Sequence, residues 1–305
     1  MDWTVYWFMF PACVLIAAVA MFSGISGAAL LTPVFLIGFP LFDVPRLSTV
    51  EAIGTSLLLE TSGFGAGVYR YLTLRLVDLA TAGALVAITL PVGVLGAIAA
   101  RHVPSQALRI GYGAAMVALA WLLSRKEPGL AADRNHAAPA LVVESDRAHA
   151  PCPEGERRRI EAAGGTLYEY CAHGLGLQRL VSGAGAFVAG LISTGVGEAT
   201  LPGLVRRSHL PVAVAAATST MVVAATVTGA AATHLVELAR EGGLSAIPWN
   251  LVVWAVPGAA IGAFIGTHLQ GRVSEDAARR FFSGLFLAIG LTFLVAFTAF
   301  KGRFT

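Results

Sequence analysis

Three runs of apolar residues, Trp3 to Phe22, Val77 to Ala100 and Phe281 to Phe300, are each long enough to cross the hydrocarbon core of a bilayer as a helix, for which about 20 residues suffice. Such runs leave few folds open, because in lipid every backbone polar group must find its partner inside the protein. Composition agrees: 56% of the 305 residues are apolar, 13% are charged and the mean hydropathy is +0.73, outside the range of a soluble domain. The first run is preceded by Asp2 rather than a basic segment and lacks a small-residue cleavage site, which marks a membrane helix rather than a secretory signal. A formal charge of +3 is too small to suggest a nucleic-acid partner. Cys13, Cys152 and Cys171 share no metal-ligand spacing and are odd in number, so free thiols are expected and neither a disulfide framework nor a metal site is.

Charge and proline concentrate in one stretch, which divides the chain into an N-terminal membrane half (1–124), a polar, cytoplasmic insert (125–178) and a C-terminal membrane half (179–305). Inside the insert, RRRIEAAGGTLYEYC places alternating apolar residues on either side of Gly164 and Gly165, a two-strand hairpin pattern that needs packing against something larger to be stable. Its Arg157 to Arg159 cluster is expected to meet lipid headgroups or water.

The halves repeat each other. FSGISGAALLTP, AIGTSLLLETSGFGAG and TLPVGVLGAIAARH in the first are followed in the same order in the second by GLISTGVGEATLP, AAATSTMVVAATVTGAA and AVPGAAIGAFIGTH. Aligning Pro91 with Pro257 puts Gly96 on Gly262 and His102 on His268. Hydrophobic segments fall at 3–23, 27–42, 48–69, 76–100 and 106–124, then at 180–193, 197–206, 211–235, 248–269 and 276–300. Five crossings per half invert the second half. If the short stretches after Gly27 and Gly197 are re-entrant half-helices, four crossings give a parallel repeat. Inversion gathers Arg70, Arg75, Arg125, Lys126, Arg206, Arg207, Arg272, Arg279 and Arg280 with the insert on one side, as the positive-inside tendency requires. The expected fold is therefore an all-α integral membrane protein of two inverted halves with broken half-helices, plus a small insert carrying a β-hairpin.

Two glycine-bearing breaks, Gly24-Ile25-Ser26-Gly27-Ala28 and Ser193-Thr194-Gly195-Val196-Gly197-Glu198, occupy matching positions. Unwound backbone inside a membrane survives only where protein or a water-lined cavity satisfies it, and a helix starting there offers free N–H groups to an anion. Matched discontinuous helices in two repeats point to a transporter's substrate site. Small residues also serve close helix packing, the plainer reading for Gly93, Gly96, Gly258 and Gly262. The pairs Thr55-Ser56 and Thr218-Ser219 fall inside apolar helices; their hydroxyls either donate to an anion or bond back to the preceding turn. Glu60 and Glu198 lie among apolar residues, where an acid costs about 2.5–3.5 kcal/mol at a helix centre. Proton carriage is one reason to keep them; a helix-start carboxylate at Glu198 and a neutral, backbone-bonded acid at Glu60 are the others. Arg70, Tyr71 and His234 are expected at the cavity mouth, where snorkelling or an interfacial histidine would also account for them. No nucleophile and base pair, phosphate loop or metal motif accompanies these residues, so an enzyme is not expected.

In order and chemistry, FSGISGAALLTP, AIGTSLL with TSGFGAGVYRYLTLRLVD, PVGVLGA, GLISTGVGEATLP, AAATSTMVV and PGAAIGAFIG resemble the TauE/SafE-type sulfite exporters, also called sulfite or toluene-sulfonate uptake permeases, over both membrane halves. The resemblance implies a multi-pass permease of the prokaryotic inner (plasma) membrane that moves small sulfur-containing anions such as sulfite, thiosulfate or organosulfonates without an organic cofactor. This sequence departs from the family in its long insert and in a first break with fewer glycines. Its expected partners are the anion, protons and membrane lipids, with a homo-oligomer left open. Two rivals differ in kind: cation permeation through Glu60, Glu198 and His234, and a non-transporting scaffold whose insert recruits a soluble partner.

Overall fold

The computed structural model describes residues 3–23, 26–124, 156–269 and 275–299; Gly24, Arg125, Lys126, Cys152 and Arg272 lie outside them. Its helices are α1 (Met9–Ser23), α2 (Ala28–Leu41), α3 (Thr49–Thr73), α4 (Leu79–His102), α5 (Ser105–Ser124), α6 (Leu175–Ile192), α7 (Val196–Arg206), α8 (Val212–Gly242), α9 (Trp249–Leu269) and α10 (Glu275–Ala299). Six of them, α4, α5, α6, α8, α9 and α10, are long and apolar enough to cross a membrane. With 25 residues α3 is also long, but it carries Glu51, Glu60 and Arg70.

Local chemistry sets the element ends. A reciprocal capping box starts α3: the Glu51 N–H donates to Ser48 Oγ at 3.2 Å and the Ser48 N–H to Glu51 Oε2 at 2.6 Å, satisfying donors that a first turn leaves free. Pro33 lacks an N–H, and the helix after it widens into a π turn over Val34–Gly38, so α2 is helical but irregular. Pro91 and Pro257 sit inside α4 and α9 without ending them.

Glycines let backbones touch. A Cβ at Gly96 of α4 would strike the Phe187 carbonyl of α6, and one at Gly262 of α9 would strike the Val14 carbonyl of α1. Close contact through small residues is how membrane helices associate without a hydrophobic driving force. By the same contacts α4 lies along α6 and α1 along α9; α5 packs on α10, and α3 on α8. The last pair is antiparallel, since Gly54 faces His234 and Gly67 faces Thr220.

Two pairs of helices fold back on themselves. Tyr6, just before α1, stacks on Phe39 near the end of α2 with ring centroids 5.5 Å apart, so the chain returns to the end from which it came. In the second half, the His173 N–H before α6 donates to the Ser208 carbonyl after α7 at 3.4 Å. The first fold-back opens at the end where Arg109 Nε donates to Thr49 at 2.8 Å and Arg101 binds Glu237 and Glu241. The second opens at the other end.

At that other end lies the β-hairpin, β1 (Glu156–Glu161) and β2 (Leu167–Ala172), antiparallel and closed by a turn in which Gly165 has φ +79°. Tyr170 and Ala172 pack with Ala82, Leu85, Leu204 and Val214 of the membrane helices. The arginine cluster departs from expectation: Arg158 turns inward and donates to both oxygens of Asp78 at 2.6 and 2.8 Å, joined by Tyr170 Oη at 2.8 Å. The antiparallel pleat aims alternate residues at the helices, and Asp78, capping α4, needs a partner once buried. Burial alone raises the Asp78 carboxyl, but the hydrogen bonds from Thr81, Arg158 and Tyr170 outweigh it and hold it below its ordinary value. A second departure concerns the thiols. Cys13 is free and buried, whereas Cys171 is disulfide-bonded; an odd total does not prevent two cysteines from pairing.

Candidate functional site

The tips of the two fold-backs meet. Ser26, ahead of α2, donates its Oγ hydrogen to Glu60 Oε1 of α3 at 2.6 Å, and the Gly27 and Ala28 amides lie within reach of the same carboxyl. From the other tip, Glu198 spans the halves: its Oε2 accepts the Gly195 N–H at 3.1 Å and its Oε1 the Ser26 N–H at 3.4 Å. The first of these bonds is an ordinary reach back to a helix start, the plainer reading of Glu198. The second is not, since it crosses between elements 172 residues apart.

Hydroxyls continue the junction. Thr32 of α2 donates to Ser56 Oγ at 3.0 Å and pairs with Ser193 Oγ at 2.8 Å. Ser56 in turn bonds back to the Ala52 carbonyl at 2.7 Å, which commits its one hydrogen to the preceding turn. Thr55 Oγ1 and Thr194 Oγ1 are buried without a hydrogen-bond partner among the described residues. The second break is held open by backbone: Ser193 has φ +61° and Gly195 φ +125°, the latter a conformation in which a Cβ is strained. Gly27 and Gly197 carry no such demand, for both have ordinary room around the Cα.

Beside Glu60, a cavity of about 30 Å³ opens among Gly27, Leu31, Gly63, Phe64 and Ala263, room for about one or two waters. A larger cavity of about 350 Å³ lies at the end of the first fold-back, between Ser48, Glu51, Arg101, Leu238 and Glu241.

Of the residues that the sequence singles out, Ser26, Gly27, Ser56, Glu60, Ser193, Gly195 and Glu198 come together, with Gly197 in the first turn of α7. Thr218 and Ser219 do not join them. Because α3 and α8 run antiparallel, Thr55 is level with His234, and Thr218 lies about 24 Å away along α8 at 1.5 Å per residue; there its hydroxyl accepts the Asp78 N–H at 3.0 Å. His234 is not at a mouth either. It is fully buried, with Nε2 on the Gly190 carbonyl at 2.9 Å and Nδ1 unpartnered among the described residues, because α8 continues to Gly242 rather than ending near 235. Arg70 and Tyr71 stay in the last turns of α3. Thr32 is the member that sequence reasoning passed over; its one signal is a hydroxyl immediately before the proline of a broken helix.

Membrane-length helices surrounding two fold-backs whose tips meet on intramembrane acids define a multi-pass membrane protein built around an interior polar junction. The family model of the sulfite exporter TauE/SafE proteins matches residues 9–293, and the chain belongs to that family. It is thus a membrane transporter of a small substrate and not an enzyme. No curated protein and no solved structure matches the chain.

Proposed function

We propose that the chain is a proton-coupled secondary transporter of sulfite or a related sulfur oxyanion or organosulfonate, acting in the inner (plasma) membrane of a prokaryote. The observation that carries this reading is the junction itself: backbone amides from both tips, with Ser and Thr hydroxyls beside them, converge on carboxylate oxygens deep in the fold. Donors that hold a carboxylate suit the oxygens of a sulfite or sulfonate head group. The family's description as sulfite exporters supports the substrate class. Glu60 and Glu198, whose oxygens take these donors, are the proposed proton-coupling acids.

We also read the halves as an inverted repeat. Helix pairing supports it: α1 on α9 is matched by α6 on α4, and the counterparts α3 and α8, like α5 and α10, pack on each other, while the fold-backs open at opposite ends. Arg70, Arg75, Arg206 and Arg207 sit at the β-hairpin end, which we assign to the cytoplasm.

The two acids, with no basic side chain hydrogen-bonded to either among the described residues, favour a second reading as a cation site. Against it, the acids' oxygens face amides and a hydroxyl, and among the described residues no three His, Cys, Asp or Glu side chains gather as a ligand set.

Sulfite uptake into proteoliposomes under an imposed pH gradient tests the proposal. Wild-type uptake should follow the gradient, and Glu60→Gln or Glu198→Gln should weaken that dependence. Full proton coupling in Glu60→Gln removes Glu60 from the mechanism, and uptake that tracks a metal cation with anions irrelevant favours the second reading.

A further inference from the structure

The amides best placed to receive an anion are already engaged by the protein's own carboxylate. Glu198 Oε2 takes the Gly195 N–H and Oε1 the Ser26 N–H, one donor from each tip, while the Ser26 hydroxyl is committed to Glu60. In the same break Thr194 is 1% exposed, and its hydroxyl has no hydrogen-bond partner among the described residues. The grip therefore holds two oxygens of a carboxylate, and the residue next to Gly195 in the chain carries a third, buried and uncommitted donor. Sulfite and sulfonates carry three oxygens.

Resting on the transport reading above, we propose that Glu198 is a resident stand-in for the transported anion: its carboxylate holds the two tips together between turnovers, and an incoming three-oxygen sulfur anion displaces it, taking the Ser26 and Gly195 amides and the Thr194 hydroxyl. The displaced side chain cannot remain charged at no cost, because an unpaired carboxylate in an apolar setting is expensive. Among the described residues, the titratable groups near enough to feel its charge are Glu60 on α3 and Tyr112 on α5, and neither is a cation. Glu198 therefore takes a proton as it leaves the amides, so one anion and one proton are bound in the same event. For a monoanion the charge of the junction is unchanged, and the two fold-backs are clasped by substrate in place of the protein's own acid.

The full chain in detergent tests this by calorimetric titration with sodium sulfite, repeated in buffers of different ionisation enthalpy, with sodium chloride as control. Glu198→Ala, with its competitor gone, should bind sulfite about tenfold more tightly than wild type, the worth of one charged hydrogen bond released, and without the proton uptake that accompanies wild-type binding. Should Glu198→Ala fail to fold, Glu198→Gln serves, with a smaller gain, about threefold, and the same loss of proton uptake. Thr194→Val should weaken sulfite binding. Unchanged or weaker binding in a folded Glu198 variant, or proton uptake that survives the substitution, overturns the proposal. If wild type carries sulfite in proteoliposomes and the variants show no gain, the stand-in role alone fails; if no variant binds sulfite and wild type carries none, the sulfite reading fails with it.

Discussion

Gly195 shows how one residue fixes the junction. Its φ of +125° turns the chain so that its N–H meets Glu198, and a side chain there is strained by about 1–3 kcal/mol. Gly195→Leu should lower the thermal midpoint in detergent and cut sulfite uptake, whereas Gly197→Ala, where the nearest atom is a Val223 methyl at 3.5 Å, should leave the midpoint near wild type. Equal midpoints for Gly195→Leu and wild type would show that the turn is not what holds the tip. Much of this scale was legible beforehand, for a physical reason. An acid among apolar residues and a break in an apolar run are costly in lipid, so Glu60, Glu198 and the glycine breaks stand out on their own. Thr32 does not, because a single hydroxyl costs little anywhere in a membrane helix. Thr218 and Ser219 misled for a different reason: matching positions in two halves suggest one shared site, but antiparallel packing of α3 on α8 carries the matched hydroxyl pairs to opposite ends.

Among the elements, the β-hairpin was readable because alternation on both sides of Gly164-Gly165 is a local signal. Its docking was not, since Asp78 and Arg158 are 80 residues apart in sequence. That pair gives a stability prediction. Asp78→Asn leaves the Arg158 guanidinium with only the exposed Glu156 as its charge partner and should destabilise the docked hairpin by about 1–3 kcal/mol, read as faster amide exchange in Glu156–Ala172. The pH dependence has a definite sign. The Asp78 carboxyl is held below its ordinary value in the fold, so its contribution is complete above the unfolded value of about 4. It is lost as pH falls through the lower folded value. Protection of the hairpin should therefore be flat from neutral pH down to about 4 and decline only in stronger acid; loss beginning near neutrality would assign the docking to another group. The sidedness of this element is a separate matter. Basic residues at this end argue for the cytoplasm, whereas the disulfide at Cys171 belongs to an oxidising compartment. The charge argument predicts that, after reduction, a membrane-impermeant thiol reagent reaches Cys171 only in permeabilised cells; labelling of intact cells reverses the assignment.

For the whole molecule, the meeting of the tips sets what must move. A cavity of about 30 Å³ beside Glu60 has room for little more than water, so a substrate the size of sulfite passes only when the fold-backs separate. Thr32 and Ser193 bridge them with oxygens 2.8 Å apart. A Thr32→Cys, Ser193→Cys variant, made with the native cysteines replaced, should lose sulfite flux on oxidation and recover it on reduction; flux unaffected by a cross-link formed in high yield would show that the tips do not part. The multi-pass helical architecture was accessible from the apolar segments. The ends of helices were not, because a helix that leaves the lipid keeps its backbone bonds while its side chains turn polar, as α8 does through Glu237, Arg240 and Glu241.

That overrun has its own consequence. The 31 residues of α8 measure about 46 Å at 1.5 Å per residue, longer than a lipid interior of about 30 Å, and its charged final turns border the 350 Å³ basin formed with Arg101. A solute arriving at that side meets a raised rim of alternating charge before it meets any hydrocarbon, and it can shed its hydration shell by degrees rather than all at once.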